Sequence, residues 1–203
     1  MSNIIETVLE PLKSPFVIKF DGTSQTMLSN KGRVGFFIES KFGILPNKSR
    51  LPDFGSWELK TLKPGKKVSI GTMPEFEFNG IIKRTSHDFF NSEPYKKMKN
   101  TLFVWYEQTK SYPEPEYVVT GWQACRLEHL SEKVASGLKE DYENICEIIR
   151  LRGIKSRDFL TNHLMDNGSL SGDYLSLGYK GDGRYGYNYP AWSFQVKFTN
   201  LFS

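Results

Sequence analysis

Three acids and a lysine stand close together in the first third of the chain: Glu39, Asp53, Glu58 and Lys60. The last three fall in Pro-Asp-Phe-Gly-Ser-Trp-Glu-Leu-Lys. This segment reads as a short hairpin in which Asp53 ends one strand, Phe54 to Ser56 turn, and Trp57 to Thr61 run back. Alternate residues of a strand share a face, so Glu58 and Lys60 become neighbours there and the turn brings Asp53 alongside. Carboxylates held this close repel unless a positive charge lies between them. A hard divalent ion such as Mg²⁺, which takes oxygen ligands and keeps several waters, resolves that repulsion. A lysine beside the ion can orient a water or stabilise charge on a phosphate. The chemistry that fits the set is metal-assisted hydrolysis of a phosphate ester.

The same four residue types also occur as an ordinary polar strand, so the reading depends on its context. At 203 residues the chain is long enough for one domain with a proper core, residues 1–203. No apolar run is long enough to span a membrane. The start, Met1-Ser2-Asn3-Ile4-Ile5-Glu6, lacks the basic and apolar pattern of a secretion signal. Cys125 and Cys146 are too few and too far apart for a disulfide framework or a cysteine zinc site, and two buried thiols in a reducing cytoplasm are expected. His87, His129 and His163 have no metal-ligand spacing. The glycines at 178–186 do not follow a strand and open a helix as a phosphate loop would, which argues against a nucleotide cofactor.

The net charge of +4 is mild, but the cations are grouped. Lys60, Lys63, Lys66 and Lys67 follow the hairpin, Lys96, Lys97 and Lys99 form a second cluster, and Lys180 and Arg184 form a third. Grouped cations beside a metal-type acid set suit a polyanion, because neutralising phosphates drives DNA affinity.

The elements that must position these groups follow from periodicity and breakers. Residues 3–13 read as a helix, and Arg33 to Phe42 as a second one closed by Gly43, with Val34, Phe37 and Ile38 apolar. Glu39 rides on that second helix just ahead of the hairpin. Strands are expected at Val68–Met73, Thr101–Tyr106, Tyr117–Leu127 and Trp192–Phe198. Phe89 to Lys99 reads as a polar turn and short helix, and Ser131 to Gly153 as a long helix. Ser171 to Asn188, rich in glycine and tyrosine, reads as a long loop between two short strands. Helices outside a mixed sheet is the architecture that follows, an α/β fold.

The run Lys31-Gly32-Arg33-Val34-Gly35-Phe36-Phe37-Ile38-Glu39, then Asp53, then Glu58-Leu59-Lys60-Thr61, resembles the MutH family of PD-(D/E)xK nucleases. That family joins a mismatch-repair nicking enzyme to GATC-cutting type II restriction enzymes of the Sau type. Tyr95 to Phe103 is similar to the segment with the family's second catalytic lysine, here Lys97. Asp141-Tyr142-Glu143-Asn144-Ile145 resembles its long helix. Gly172-Asp173-Tyr174-Leu175 with Lys180, and Phe194 to Leu201, resemble its recognition region. The gap between Asp53 and Glu58 is two residues shorter than in the repair enzyme and equals that of the monomeric MvaI and BcnI type. Gly178 also stands where the repair enzyme has an arginine.

The resemblance implies a restriction-endonuclease-like fold, a mixed central sheet flanked by helices. It implies a Mg²⁺-dependent, sequence-specific endonuclease of double-stranded DNA, with Asp53, Glu58 and Glu39 as metal-site acids and Lys60 and Lys97 near the scissile phosphate. Lys63, Lys66, Lys67, Lys96, Lys99, Lys180, Arg184, Tyr185 and Tyr187 are the expected DNA contacts. A type II restriction enzyme is the leading expectation, paired with a cognate DNA methyltransferase and acting as a monomer or a DNA-induced dimer. A methyl-directed repair nickase is the alternative within the family, and a catalytically silent DNA-binding domain is the alternative of another class.

Overall fold

The computed structural model describes residues 16–19, 33–41, 56–85, 88–110, 116–182 and 187–201. The chain divides into two compact units, 1–64 with 100–125 and 203, and 65–99 with 126–202. In chain order the elements begin β1 (Phe16–Lys19), α1 (Arg33–Lys41), β2 (Glu58–Leu62), β3 (Val68–Thr72), α2 (Glu75–Ile82) and α3 (Glu93–Met98). There follow β4 (Asn100–Lys110), β5 (Glu116–Arg126), α4 (Glu132–Leu151) and α5 (Arg157–Asn167). The last are β6 (Leu170–Ser171), β7 (Leu175–Asp182), β8 (Tyr187–Phe194) and α6 (Val196–Thr199). This is the mixed α/β class expected from the sequence, with its strands divided between two sheets.

The first unit holds the sheet β1-β5-β4-β2. β1 runs antiparallel to β5, and β2 runs parallel to β4 with Glu58 opposite Thr101 and Lys60 opposite Phe103. Val34 and Ile38, one helical turn apart on α1, pack in one cluster with Leu59 of β2, Leu102 and Val104 of β4, and Tyr117 and Val119 of β5. Period four on the helix meets period two on the strands, which is why one face of each element is apolar. Fully burying each such side chain stabilises by roughly 1.5–3 kcal/mol. The Arg33 guanidinium over the Tyr117 ring, 5.0 Å from its centre, fixes the start of α1. Asn100 Nδ2 donates to the Ser56 carbonyl at 3.1 Å and ties the start of β2 to β4.

The second unit holds the sheet β3-β8-β7-β6. All of its pairs are antiparallel. α4 packs against β7, and α5 against β7 and β8. The buried positions of α4, Val134, Leu138, Tyr142, Ile145 and Ile149, recur at helical spacing as expected. Cys125 and Cys146 are free and buried, and burial pushes both thiols up to about 12.

The structure corrects the sequence at several places. Most of the described part of Ser171 to Asn188 is strand and not loop: β7 and β8 pair residue by residue from Leu175 opposite Phe194 to Asp182 opposite Tyr187. The glycines and tyrosines read as turn chemistry. The ladder forms because Leu175, Leu177, Trp192 and Phe194 are buried at its root and carry the whole hairpin. The last strand ends at Phe194 instead of Phe198, since the Gln195 carbonyl accepts the Phe198 and Thr199 amides and turns the chain into α6. α2 and α5 were not anticipated. Ser156 caps α5 by accepting the Phe159 amide at 3.1 Å, and that serine with Asp158 in the first turn was a readable start signal. The expected helix at 3–13 lies outside the described residues, as do Phe42 and Gly43.

Glu77 on α2 is 1% exposed and accepts a hydrogen bond from the Tyr142 hydroxyl at 3.1 Å. Burial raises its carboxyl to about 7, the Tyr142 hydrogen bond opposes this, and nearby Glu93 adds to the rise. The folded chain therefore keeps this proton after the unfolded chain has lost it. Stability is greatest below the unfolded value near 4.5 and falls as pH rises from there to about 7. Urea unfolding across that range should show a decline of roughly 1–3 kcal/mol, and Glu77→Gln should remove it. An unchanged pH profile in the variant would refute the assignment.

Candidate active site on strand β2

β2 brings together two of the residues that the sequence singled out. Glu58 is 2% exposed, and Lys60 Nζ donates to Glu58 Oε1 at 2.5 Å. The two share one face of the strand because they are two residues apart, while Leu59 between them enters the apolar cluster with Val34 and Ile38. A carboxylate this buried is stable only with a cation or donors beside it. The Lys60 ammonium, itself largely covered, meets that requirement.

Glu39 comes from α1. That helix packs on β2, and Gly35 stands one turn before Glu39. A Cβ on Gly35 would lie 3.5 Å from Thr61 Oγ1 and 3.8 Å from Glu39 Oε1. Gly35 therefore has both Thr61 Oγ1 and the Glu39 carboxylate within van der Waals reach of its Cα face. Asp53 and its turn lie outside the described residues. Among the described residues no group of three or more His, Cys, Asp or Glu could hold a metal ion. The two acids that are described still supply hard oxygen donors of the kind that Mg²⁺ takes.

Lys63 continues beyond β2, with its ammonium 3.4 Å from Gln108 Oε1. The remaining candidates belong to the second unit. Lys97 is on α3, with its Nζ 3.8 Å from where a Cβ on Gly71 would lie. Lys66 and Lys67 are exposed in the segment leading to β3. Lys96 pairs with Glu93 at 3.7 Å and Lys99 with Glu128 at 3.3 Å, both near the surface, where such pairs hold weakly. Lys180 is exposed on β7 opposite Tyr189, and Tyr187 opens β8 opposite Asp182. Arg184 and Tyr185 lie outside the described residues.

Two further acids escaped attention as site residues, Glu77 and Asp141, both buried in the second unit. For Asp141 a signal existed: it stands in the apolar stripe of α4 between Leu138 and Ile145, where a carboxylate needs a partner.

Residues 16–74 match the MvaI/BcnI restriction endonuclease family. The matched segment contains Glu39, Asp53, Glu58 and Lys60. No curated protein matches the chain. Among solved structures, a restriction endonuclease MvaI–cognate DNA substrate complex is similar at 10% identity and a TM-score of 0.49, over 98% of this chain and 92% of that one. Among the described residues no helix is long and apolar enough to cross a membrane.

Proposed function

We propose that residues 1–203 act as one nuclease domain, a Mg²⁺-dependent type II restriction endonuclease that hydrolyses phosphodiester bonds of double-stranded DNA. The observation that carries the reading is the buried Glu58–Lys60 pair on β2, inside the segment that matches the restriction endonuclease family. Asp53, Glu58 and Glu39 would hold the ion, which supplies a Lewis acid beside the phosphate and a more acidic bound water. Glu58 fixes Lys60 by its hydrogen bond, so the ammonium is already oriented before DNA arrives. Lys60 then steadies the attacking water or the charge that builds on the phosphate oxygens. Lys97 adds a second cation.

Lys63, Lys66, Lys67, Lys96 and Lys99 supply phosphate contacts, and their exposure leaves them free to move onto a backbone. The β7–β8 hairpin carries sequence recognition through Lys180, Arg184, Tyr185 and Tyr187. Arginine suits guanine in the major groove, and aromatic faces pack on bases or sugars. A cognate DNA methyltransferase would protect the host's own sites.

Purified protein incubated with several plasmid and phage DNAs should give discrete fragments with Mg²⁺ and none with EDTA. Smears, or no cutting on any of them, would overturn the reading. Glu58→Ala, Asp53→Ala and Lys60→Ala should each lower cleavage by about a hundredfold or more. The two acid variants should bind DNA as well as the parent or better, since removing an acid relieves repulsion toward phosphate. Lys66→Ala and Lys67→Ala should each reduce the slope of log affinity against log salt by about 0.9 if the side chain neutralises one phosphate. An unchanged slope would place the phosphate track elsewhere.

A further inference from the structure

Away from β2, Asp141 stands in the middle of α4. It is 8% exposed, and its carboxylate accepts three successive backbone amides. Asp173 donates to Oδ1 at 3.2 Å, and Tyr174 and Leu175 donate to Oδ2 at 2.7 and 3.0 Å. Hydrogen bonds to an ionised acceptor are the strong ones, and three on one carboxylate hold a backbone segment in a single conformation. The segment is the turn that launches β7, whose first residue is Leu175.

The helix is shaped to receive that turn. One helical turn before Asp141 stands Gly137, where a Cβ would lie 2.5 Å from the Tyr174 ring. On the turn itself, a Cβ on Gly172 would lie 1.9 Å from Asp141 Oδ1. Lys197 closes the other side, with Nζ 2.5 Å from Asp173 Oδ2 and 5.1 Å from the centre of the Tyr174 ring. A glycine inside a helix is unfavourable relative to alanine, and a buried carboxylate carries a desolvation cost. α4 bears both on one face, and both are offset only by the docked turn.

We propose that Asp141 is a positioning residue for DNA sequence discrimination: with Gly137 and Gly172 it fixes the root of the β7–β8 hairpin, and so aims the residues that contact bases. This rests on the reading of that hairpin as the recognition element. Lys180 stands five residues beyond Leu175, about 17 Å along an extended strand. A tilt of about 5° at the root therefore displaces it by about 1.5 Å. Hydrogen bonds to base edges do not survive such a displacement, since functional groups must be held within about 0.5 Å. Coulomb attraction to phosphate falls off slowly with distance and does survive it. Loosening the root should therefore reduce discrimination and spare general DNA affinity.

The experiment maps the cut site of the full chain on phage DNA by sequencing the fragment ends. It then measures affinity in Ca²⁺ for a duplex with that site and for a scrambled duplex. Asp141→Asn, which keeps the shape but loses the charge and part of the acceptor set, should lower the ratio of the two affinities about tenfold and add cuts at near-cognate sites. Scrambled-duplex affinity and its salt slope should stay within about twofold of the parent. Gly172→Ala should act in the same direction through the clash with Asp141. Retention of the ratio by a folded variant, or an equal loss on both duplexes, would overturn the proposal. Should both variants fail to fold, amide exchange on the parent protein decides. Tyr174 and Leu175 amides should be protected further by the cognate duplex than by the scrambled one, and equal protection refutes the idea. Arg184→Ala and Lys180→Ala in the same assay separate the two layers. If they leave the ratio intact, the hairpin reading fails; if they lower it and Asp141→Asn does not, only the present inference fails.

Discussion

Much of the fold follows from the parallel pairing of β2 with β4. Antiparallel neighbours can be joined by a tight turn, whereas a parallel pair requires the chain to leave the sheet and return to the same end. Residues 63–99 make that excursion, and they contain β3, α2 and α3, all assigned to the second unit. The candidate site sits at the start of the same pairing. Glu58, opposite Thr101, and Lys60, opposite Phe103, take their places from a ladder whose partner strand arrives about forty residues later. The Glu58–Lys60 pair thus depends on a strand pairing that no local segment contains.

Charge placement shows a common logic in the two units. Glu58, Glu77 and Asp141 are all buried acids, and each is accommodated differently. Glu58 has an ammonium, Asp141 has three amides, and Glu77 has a tyrosine hydroxyl in a setting that favours its neutral form. A cation beside a carboxylate compensates its charge, which suits the phosphate-hydrolysing role proposed for this pair. Backbone donors around a carboxylate instead fix a chain segment, which suits the root of a hairpin. Burial with a single hydroxyl keeps the proton, so the core of the second unit is not asked to hold a bare charge.

The second sheet also places rigid and adaptable surface on one hairpin. Its root is buried through Leu175, Leu177, Trp192 and Phe194, and its outer half exposes Tyr179 and Lys180. A strand pair fixed at one end and solvated at the other combines defined direction with accessible side chains. That combination suits the recognition role proposed for this hairpin, since such contacts require positions set by the scaffold.

Local pattern sufficed for elements whose signals are short-range. The apolar spacing of Val34 and Ile38 marked α1, the run from Thr101 to Tyr106 marked the core of β4, and the stripe from Val134 to Ile149 marked α4. Glu58 and Lys60 could be placed on one face of a strand from their spacing alone, because the period of a strand is fixed by the backbone. The β7–β8 hairpin was hidden, since glycine and tyrosine carry turn signals locally. Only the burial of Leu175, Leu177, Trp192 and Phe194, with Trp192 packed on Tyr142 of α4, made strands of them. Asp141 was visible as a letter in a helix, but its work lies in amides more than thirty residues away. A carboxylate's type and period are written in sequence, while its partners are chosen by contacts that form only when remote segments meet.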